Sequence, residues 1–374
     1  MMVSIAIITF AMLVIWRASD GFEAASEFLG RNLTDGVRGA TINAIGSSMP
    51  ELFTTFFGLM LLQNTENFAF GIGTTAGSAI FNAMIIPAVV IIAVISSGMT
   101  SKVNVSRKVI LRDGLSLLAA EALLIVVISG STLYWWHGVI LMAMYGLYVI
   151  IMFRTMGQDS SSNEEDGEDG EEEEEGPGSK VKALLTLDLE TIFIGSNKIA
   201  SGSAWTLLLV AMVIIGGACL GLVHACEGLA SEMGIAPYFV AVVLASAATS
   251  VPDTIISYRD ALNGEYDDAV ANALGSNIFD VCFALGLPLF VYTVAYAPIE
   301  MPLETVQNVA ELRVSLFLLT AVAFLIFYFN KGLGYIQAVM LLAIYVLFTV
   351  FILSKAYEIE WAIDLGLWLQ GLIS

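Results

Sequence analysis

The sequence predicts an all-α polytopic membrane protein, with ten transmembrane helices in two five-helix repeats of inverted topology. Three observations predict it. The apolar residues gather into long runs, the basic residues favour one side of those runs, and short polar motifs recur at a nearly fixed offset. Of the 374 residues, 57% are hydrophobic, with mean hydropathy +0.83, whereas soluble domains hold about 45–50%. Runs such as Val109–Ile128 and Val314–Phe329 approach the roughly 20 residues that span a bilayer core.

Ten spans are expected, at 3–29, 37–62, 67–96, 108–129 and 133–153, then 204–231, 237–261, 267–293, 311–329 and 334–354. Met1–Trp16 has no basic n-region, so it reads as part of the first span and not as a removable leader. This gives a first half at 1–153, a linker at 154–203 and a second half at 204–374. The linker carries eleven acidic residues and no basic one between Asp159 and Glu175. Such a segment buries too little apolar surface to offset its ordering entropy, so it reads as a cytoplasmic tether. Val181–Lys198 is a weakly periodic candidate for an interfacial helix. The formal net charge of −20 argues against a nucleic-acid partner. Cys219, Cys226 and Cys282 lie inside apolar runs and read as buried free thiols.

Orientation follows from Lys and Arg in the loops. With the N-terminus outside, Arg31, Arg38, Lys102, Arg107, Lys108, Arg112, Arg154, Lys180, Lys182, Lys198, Arg259 and Lys331 fall on the cytoplasmic side, and Arg313 and Lys355 outside. Both termini are then extracytoplasmic. Five spans per half is an odd number, so the second half is inverted.

The halves also repeat in sequence. Gly46–Glu51 (GSSMPE) aligns with Ala248–Asp253 (ATSVPD) at an offset of 202, and Gly77–Asn82 (GSAIFN) with Gly275–Asp280 (GSNIFD) at 198. A weaker match pairs Asp20-Gly21 with Glu227-Gly228. Odd span counts plus repetition mark inverted-repeat transporters, whose ion sites lie at the midplane on interrupted helices.

The repeated motifs carry oxygen chemistry. Glu51 and Asp253 lie deep in apolar spans, where a charge costs about 2.5–3.5 kcal/mol on insertion scales and marks a functional site by default. Pro50 and Pro252 precede them. Each proline removes a backbone donor, frees the carbonyl four residues back and kinks its helix. Ser47 and Ser48, like Thr249 and Ser250, stand four and three residues before the carboxylate, near one helix face. Ser78 and Asn82 are four apart, as are Ser276 and Asp280. This set of three carboxylates, one amide and several hydroxyls, without His or Cys, suits calcium and sodium rather than zinc or copper. Gly71, Gly73, Gly77, Gly275 and Gly286 read as close helix contacts. His137 beside Trp135 and Trp136 reads as an interfacial belt, His224 as a contact of Glu227, and Arg17 as an i,i+3 partner of Asp20.

At these residues the sequence resembles the cation/calcium exchanger superfamily. The resemblance lies in Ala40–Leu62 with Phe70–Ala88 and in Ala236–Ser257 with Ala269–Leu287. It implies ten helices in two inverted halves and exchange of sodium for calcium by alternating access, with spans one and six sliding past the core. It places calcium ligands on Glu51 and Asp253, with carbonyl help near Ser47 and Thr249. Sodium ligands fall on Ser48, Ser78, Ser250, Ser276 and Asp280. The segments GIGTTAGSAIFN and GSNIFD are most similar to the potassium-dependent branch and its prokaryotic relatives, in which an aspartate at the Asp280 position accompanies potassium transport. Asp253 departs from several prokaryotic members that carry Glu, and Ser47 from a frequent Thr. The Gly-Asn-x-x-Glu motif of the proton-coupled branch is absent. Calcium and monovalent cations are the expected substrates, the bilayer is the expected partner, and no cofactor is expected. A calcium/proton antiporter of the same fold is the alternative. From another class, two membrane-embedded carboxylates are also compatible with an intramembrane aspartyl protease.

Overall fold

The protein is described by a computed structural model covering residues 1–29, 44–61, 67–156, 186–193, 200–330 and 332–373. The acidic run 159–175, most of the linker, and Arg31, Arg38, Lys180, Lys182, Lys198 and Lys331 lie outside the described residues.

Among those residues, seven helices are long and apolar enough to cross a membrane. They are α1 (Met2–Leu29), α4 (Asn67–Ser96), α6 (Trp135–Met156), α8 (Ser201–Met233), the continuous stretch Tyr266–Ala295, α14 (Leu303–Phe329) and α15 (Tyr335–Ala356). The stretch Tyr266–Ala295 comprises α12 (Tyr266–Phe279), a π-helical turn at Asp280–Ala284, and α13 (Leu285–Ala295). A bent pair, Pro237–Thr249 with Val251–Leu262, adds an eighth candidate, with a 40° bend. It is built of α9 (Pro237–Val240), a π turn (Ala241–Ala245), α10 (Ser246–Thr249) and α11 (Val251–Leu262). The expected second span appears as α2 (Ala44–Ser47) and α3 (Met49–Leu61), broken at Ser48. The expected fourth is α5 (Arg107–Val127), which holds Arg112, Asp113 and Glu121. A short helix α7 (Leu189–Phe193) falls within the weakly periodic linker segment. A further helix, α16 (Glu360–Gln370), was not among the expected spans.

Two units are visible in the packing. Helices α1 and α8 lie against each other along their length. Helix α4 is the hub of the rest, touching α3, α11, α12, α14 and α15. Close approach rests on small residues, as expected where lipid supplies no hydrophobic drive between helices. A Cβ on Gly138 would lie 2.5 Å from the Gly286 carbonyl oxygen, so α6 and α13 meet backbone to backbone. The loops add two backbone clasps at opposite ends of α5. At one, β1 (Thr132–Leu133) pairs antiparallel with β2 (Ile299–Glu300). At the other, Val103 bridges Leu333.

One expectation is corrected. Arg313 is expected on the outer side at the start of the span 311–329, but α14 begins at Leu303 and the residue is only 1% exposed. Its guanidinium donates to the carbonyls of Val309 (3.2 Å) and Ile125 (2.7 Å). A positive group on the last carbonyls of α5 complements the negative end of that helix, which lets the arginine enter the bundle. Lys355 reaches Glu311 at 2.7 Å, and Gln370 of α16 donates to the same carboxylate at 2.7 Å. The three cysteines are buried and free, as expected. Arg17 lies 3.9 Å from Asp20, but Asp20 sits closer to Arg259, at 3.1 Å. His224 lies 3.8 Å from Glu227, and His137 stacks on Trp136.

Glu121 is a fully buried carboxylate outside the repeated motifs. Thr320 of α14 donates to its Oε1 at 2.8 Å, and its Oε2 has no partner. Thr320→Val is expected to lower stability by about 1–3 kcal/mol, the penalty for a stripped buried polar group. Glu121→Gln, which keeps an acceptor for the threonine, should cost less. Unfolding temperatures of both variants in one detergent test the order.

Candidate functional site

The site is built where two broken helices meet two straight ones. Helix α2 ends at Ser47 and α3 begins at Met49, placing Glu51 in the first turn of α3. Helix α10 ends at Thr249, Ser250 has φ −79° and ψ 3°, and α11 starts at Val251 with Pro252 and Asp253 in its first turn. Both breaks fall two residues before the proline, whose missing donor and ring clash open the ladder there. The positive N-terminal ends of α3 and α11 favour the carboxylates in their first turns.

Among the described residues, Glu51, Asp253 and Asp280 form the group of acidic side chains able to hold a metal ion. One oxygen from each lies within 4.8 Å of the others, and all three residues are buried. Ser78 of α4 bridges two of them. Its Oγ lies 3.0 Å from Glu51 Oε1, 3.1 Å from Asp280 Oδ2 and 2.7 Å from Ser250 Oγ. A hydroxyl has one proton, so it cannot donate to both carboxylates at once. Asn82 donates through Nδ2 to Asp253 Oδ2 (2.8 Å) and Ser276 Oγ (3.3 Å). Ser47 lies beside Asp253, Thr249 beside Glu51 and Ser48 beside Asp280, so each motif reaches across to the other half. Ser47 and Thr249 also donate to carbonyls of their own half-helices, Ala44 at 3.3 Å and Ser246 at 3.1 Å.

Glu51 Oε2, Asp253 Oδ1, Asp280 Oδ1, Asn82 Oδ1 and Ser48 Oγ are buried without a hydrogen-bond partner. Natural interiors leave few such atoms, and here five collect at one place. No Lys, Arg or His forms an ion pair with the three carboxylates among the described residues. Uncompensated acidic oxygens, hydroxyls and an amide oxygen suit a hard cation.

All ten residues expected from sequence are thus brought into one cluster. Sequence reasoning missed the π turn that starts at Asp280. Such turns are frequent at functional sites, but nothing in GSNIFD marks it. It also missed Asn272 and Ser257, described below. Their signal was available: each is one helical turn from a motif residue.

A sequence profile of the sodium/calcium exchanger protein family matches residues 3–154 and 203–354. This chain belongs to that family. Members of the sodium/calcium exchanger family are transporters and not enzymes, and the protease reading falls with that assignment. Human sodium/potassium/calcium exchanger 5 is 25% identical over 354 residues, covering 72% of this chain and 65% of the relative. Rat sodium/potassium/calcium exchanger 3 is 36% identical over 121 residues, 32% of this chain and 18% of the relative. The chain therefore spans less than two thirds of the length of these relatives. In fold it is similar to the H+/Ca2+ exchanger CAX, with TM-score 0.59, 15% identity, and 99% of this chain and 90% of that one covered. It is also similar to the sodium–calcium exchanger NCX_Mj, with TM-score 0.55, 19% identity, and 92% of this chain and 97% of that one covered. The family and the long apolar helices make the protein a multi-pass membrane protein.

Proposed function

We propose that this chain exchanges sodium for calcium by alternating access, with calcium and sodium competing for the oxygens of Glu51, Asp253, Asp280, Ser47, Ser48, Ser78, Asn82, Thr249, Ser250 and Ser276. The observation that carries this is the convergence of three buried carboxylates, one oxygen of each within 4.8 Å of the others, with an unpartnered oxygen left on each. Such a cluster has uncompensated charge and stays costly at membrane depth until cations bind. Coupling follows, because an empty site resists translocation.

The architecture that goes with this reading is ten helices in two inverted halves, 1–153 and 204–374. A cytoplasmic acidic linker at 154–203 joins them, and both termini lie outside the cell membrane. The two stretches matched by the family profile lie on either side of that linker, which supports the division. Potassium is a candidate third ion, since sodium/potassium/calcium exchangers are among the relatives and Asp280 replaces what would be a second Asn82.

Calcium uptake into proteoliposomes driven by an outward sodium gradient is the expected result. A likeness in fold to a proton/calcium exchanger keeps proton coupling as the second reading. Uptake that follows a pH gradient and ignores sodium would establish that reading instead. If potassium stimulates uptake, Asp280→Asn is expected to remove the stimulation while sodium-driven uptake persists.

A further inference from the structure

Beside the cluster lies a smaller polar group that the expected ligand set does not use. Ser257 follows Asp253 by one turn on α11, and Asn272 precedes Ser276 by one turn on α12. Asn272 donates through Nδ2 to Ser257 Oγ at 3.1 Å and lies 3.5 Å from the Asp253 carbonyl oxygen. Asn272 is 5% exposed and Ser257 0%. The Oδ1 of Asn272 has no hydrogen-bond partner. An amide buried with its acceptor unused is a cost to the fold, and its oxygen is a good ligand for a hard cation.

The first half has no equivalent amide. By the offsets of 202 and 198, Ser257 corresponds to Thr55 and Asn272 to Thr74. The Thr74 hydroxyl is committed to the Phe70 carbonyl at 3.1 Å, whereas the Thr55 hydroxyl is buried without a partner. The two approaches to the cluster therefore differ. One carries a buried amide and a serine, the other two buried threonines.

We infer that Asn272 Oδ1 and Ser257 Oγ form a transit subsite for the transported cation, serving one face of the membrane. With both termini outside, that face is the cytoplasmic one. The inference rests on reading the Glu51–Asp253–Asp280 cluster as a cation site. A cation leaving the cluster toward that face loses carboxylate ligands before it regains water. An oxygen set one turn away shortens that step, and its place on one side of the cluster makes the effect one-sided.

The test is calcium self-exchange in oriented proteoliposomes, which needs no counter-ion, with the apparent KM for calcium measured from each face. Asn272→Leu removes both the oxygen and the donor. Asn272→Asp removes the donor but keeps the oxygen and adds charge. Asn272→Leu is expected to raise the apparent KM at the cytoplasmic face by about threefold or more, the effect of losing one ligand of hydrogen-bond strength, and to leave the outer face unchanged. Asn272→Asp is expected to lower KM at the cytoplasmic face. If Asn272→Leu does not fold, Asn272→Asp with Ser257→Ala decides. Equal changes at both faces, no change at either, or a KM raised by Asn272→Asp would overturn the subsite and leave a structural hydrogen bond. Wild-type protein with no calcium self-exchange would instead overturn the cluster reading itself.

Discussion

Glu51→Gln is expected to abolish sodium-driven calcium uptake and to weaken calcium binding by about 30-fold to several thousandfold. The estimate takes the roughly 2–5 kcal/mol lost when one partner of a buried charge pair is removed and converts it at 1.4 kcal/mol per decade. The substitution keeps the shape and an acceptor for Ser78, so the loss reports charge rather than packing. The same change has the opposite sign on the empty protein. Without a cation, Glu51, Asp253 and Asp280 crowd their charge into one buried place, and removing one charge relieves that repulsion. Unfolding temperature in chelator should rise for Glu51→Gln, while the further rise on adding calcium, which reports ligand linkage, should shrink. A variant that loses stability in chelator and keeps a full calcium shift would contradict the charge account. The same experiment on Asp253→Asn should give the same pair of signs.

The second large effect is expected at Gly77, which adjoins Ser78. A Cβ there would lie 2.3 Å from the Val242 carbonyl oxygen and 2.9 Å from Ser246 Cβ. Neither neighbour is the free end of a flexible side chain. Val242 lies in the π turn of the bent helix, and Ser246 opens α10, whose C-terminal end carries Thr249. Gly77→Ala must therefore push α4 away from the bent helix that carries Thr249, Ser250 and Asp253. Overpacking of this kind costs about 1–3 kcal/mol. The functional loss should exceed that, because the seam that opens is the one holding Ser78 against Ser250 at 2.7 Å. Folded protein that no longer shifts its unfolding temperature with calcium is the expected outcome. Gly217→Ala provides the control: a Cβ there meets nothing within 4 Å, so stability and exchange should both be kept.

The contrast between these two residues shows how much of the molecule could be read from its sequence. Glu51 and Asp253 were legible because a carboxylate inside an apolar run is costly and here stands in a repeated motif behind a proline. The prolines before them foretold the breaks at Ser48 and Ser250, because a missing N–H acts locally. Gly77 was legible as a close contact, but its partner was not. The Val242 carbonyl comes from the other half, and no local period encodes that register. Arg313 was misplaced for a related reason. A basic residue near the start of an apolar run looks like a loop residue unless the carbonyls of Leu124 and Ile125, nearly 190 residues away, are known to wait for it. The position of Ser78 depends on helices from both halves meeting, and α4 alone shows only a hydroxyl on an apolar face. The pair Glu121–Thr320 escaped for the same reason, since its members are 199 residues apart.

The two small backbone clasps bear on how such a molecule moves. Thr132–Leu133 joins the stretch after α5 to the stretch before α14, and Val103 joins the stretch before α5 to the stretch after α14. Each clasp ties one half to the other, and together they fasten both ends of the α5–α14 pair. Hydrogen bonds of this kind resist shear between the helices they buckle. Helices α1 and α8 lie outside both fastenings and are joined to each other by side-chain packing along their length. The bundle thus holds a clasped frame and, outside the clasps, a helix pair whose members lie against α3 and α11, the helices that carry Glu51 and Asp253.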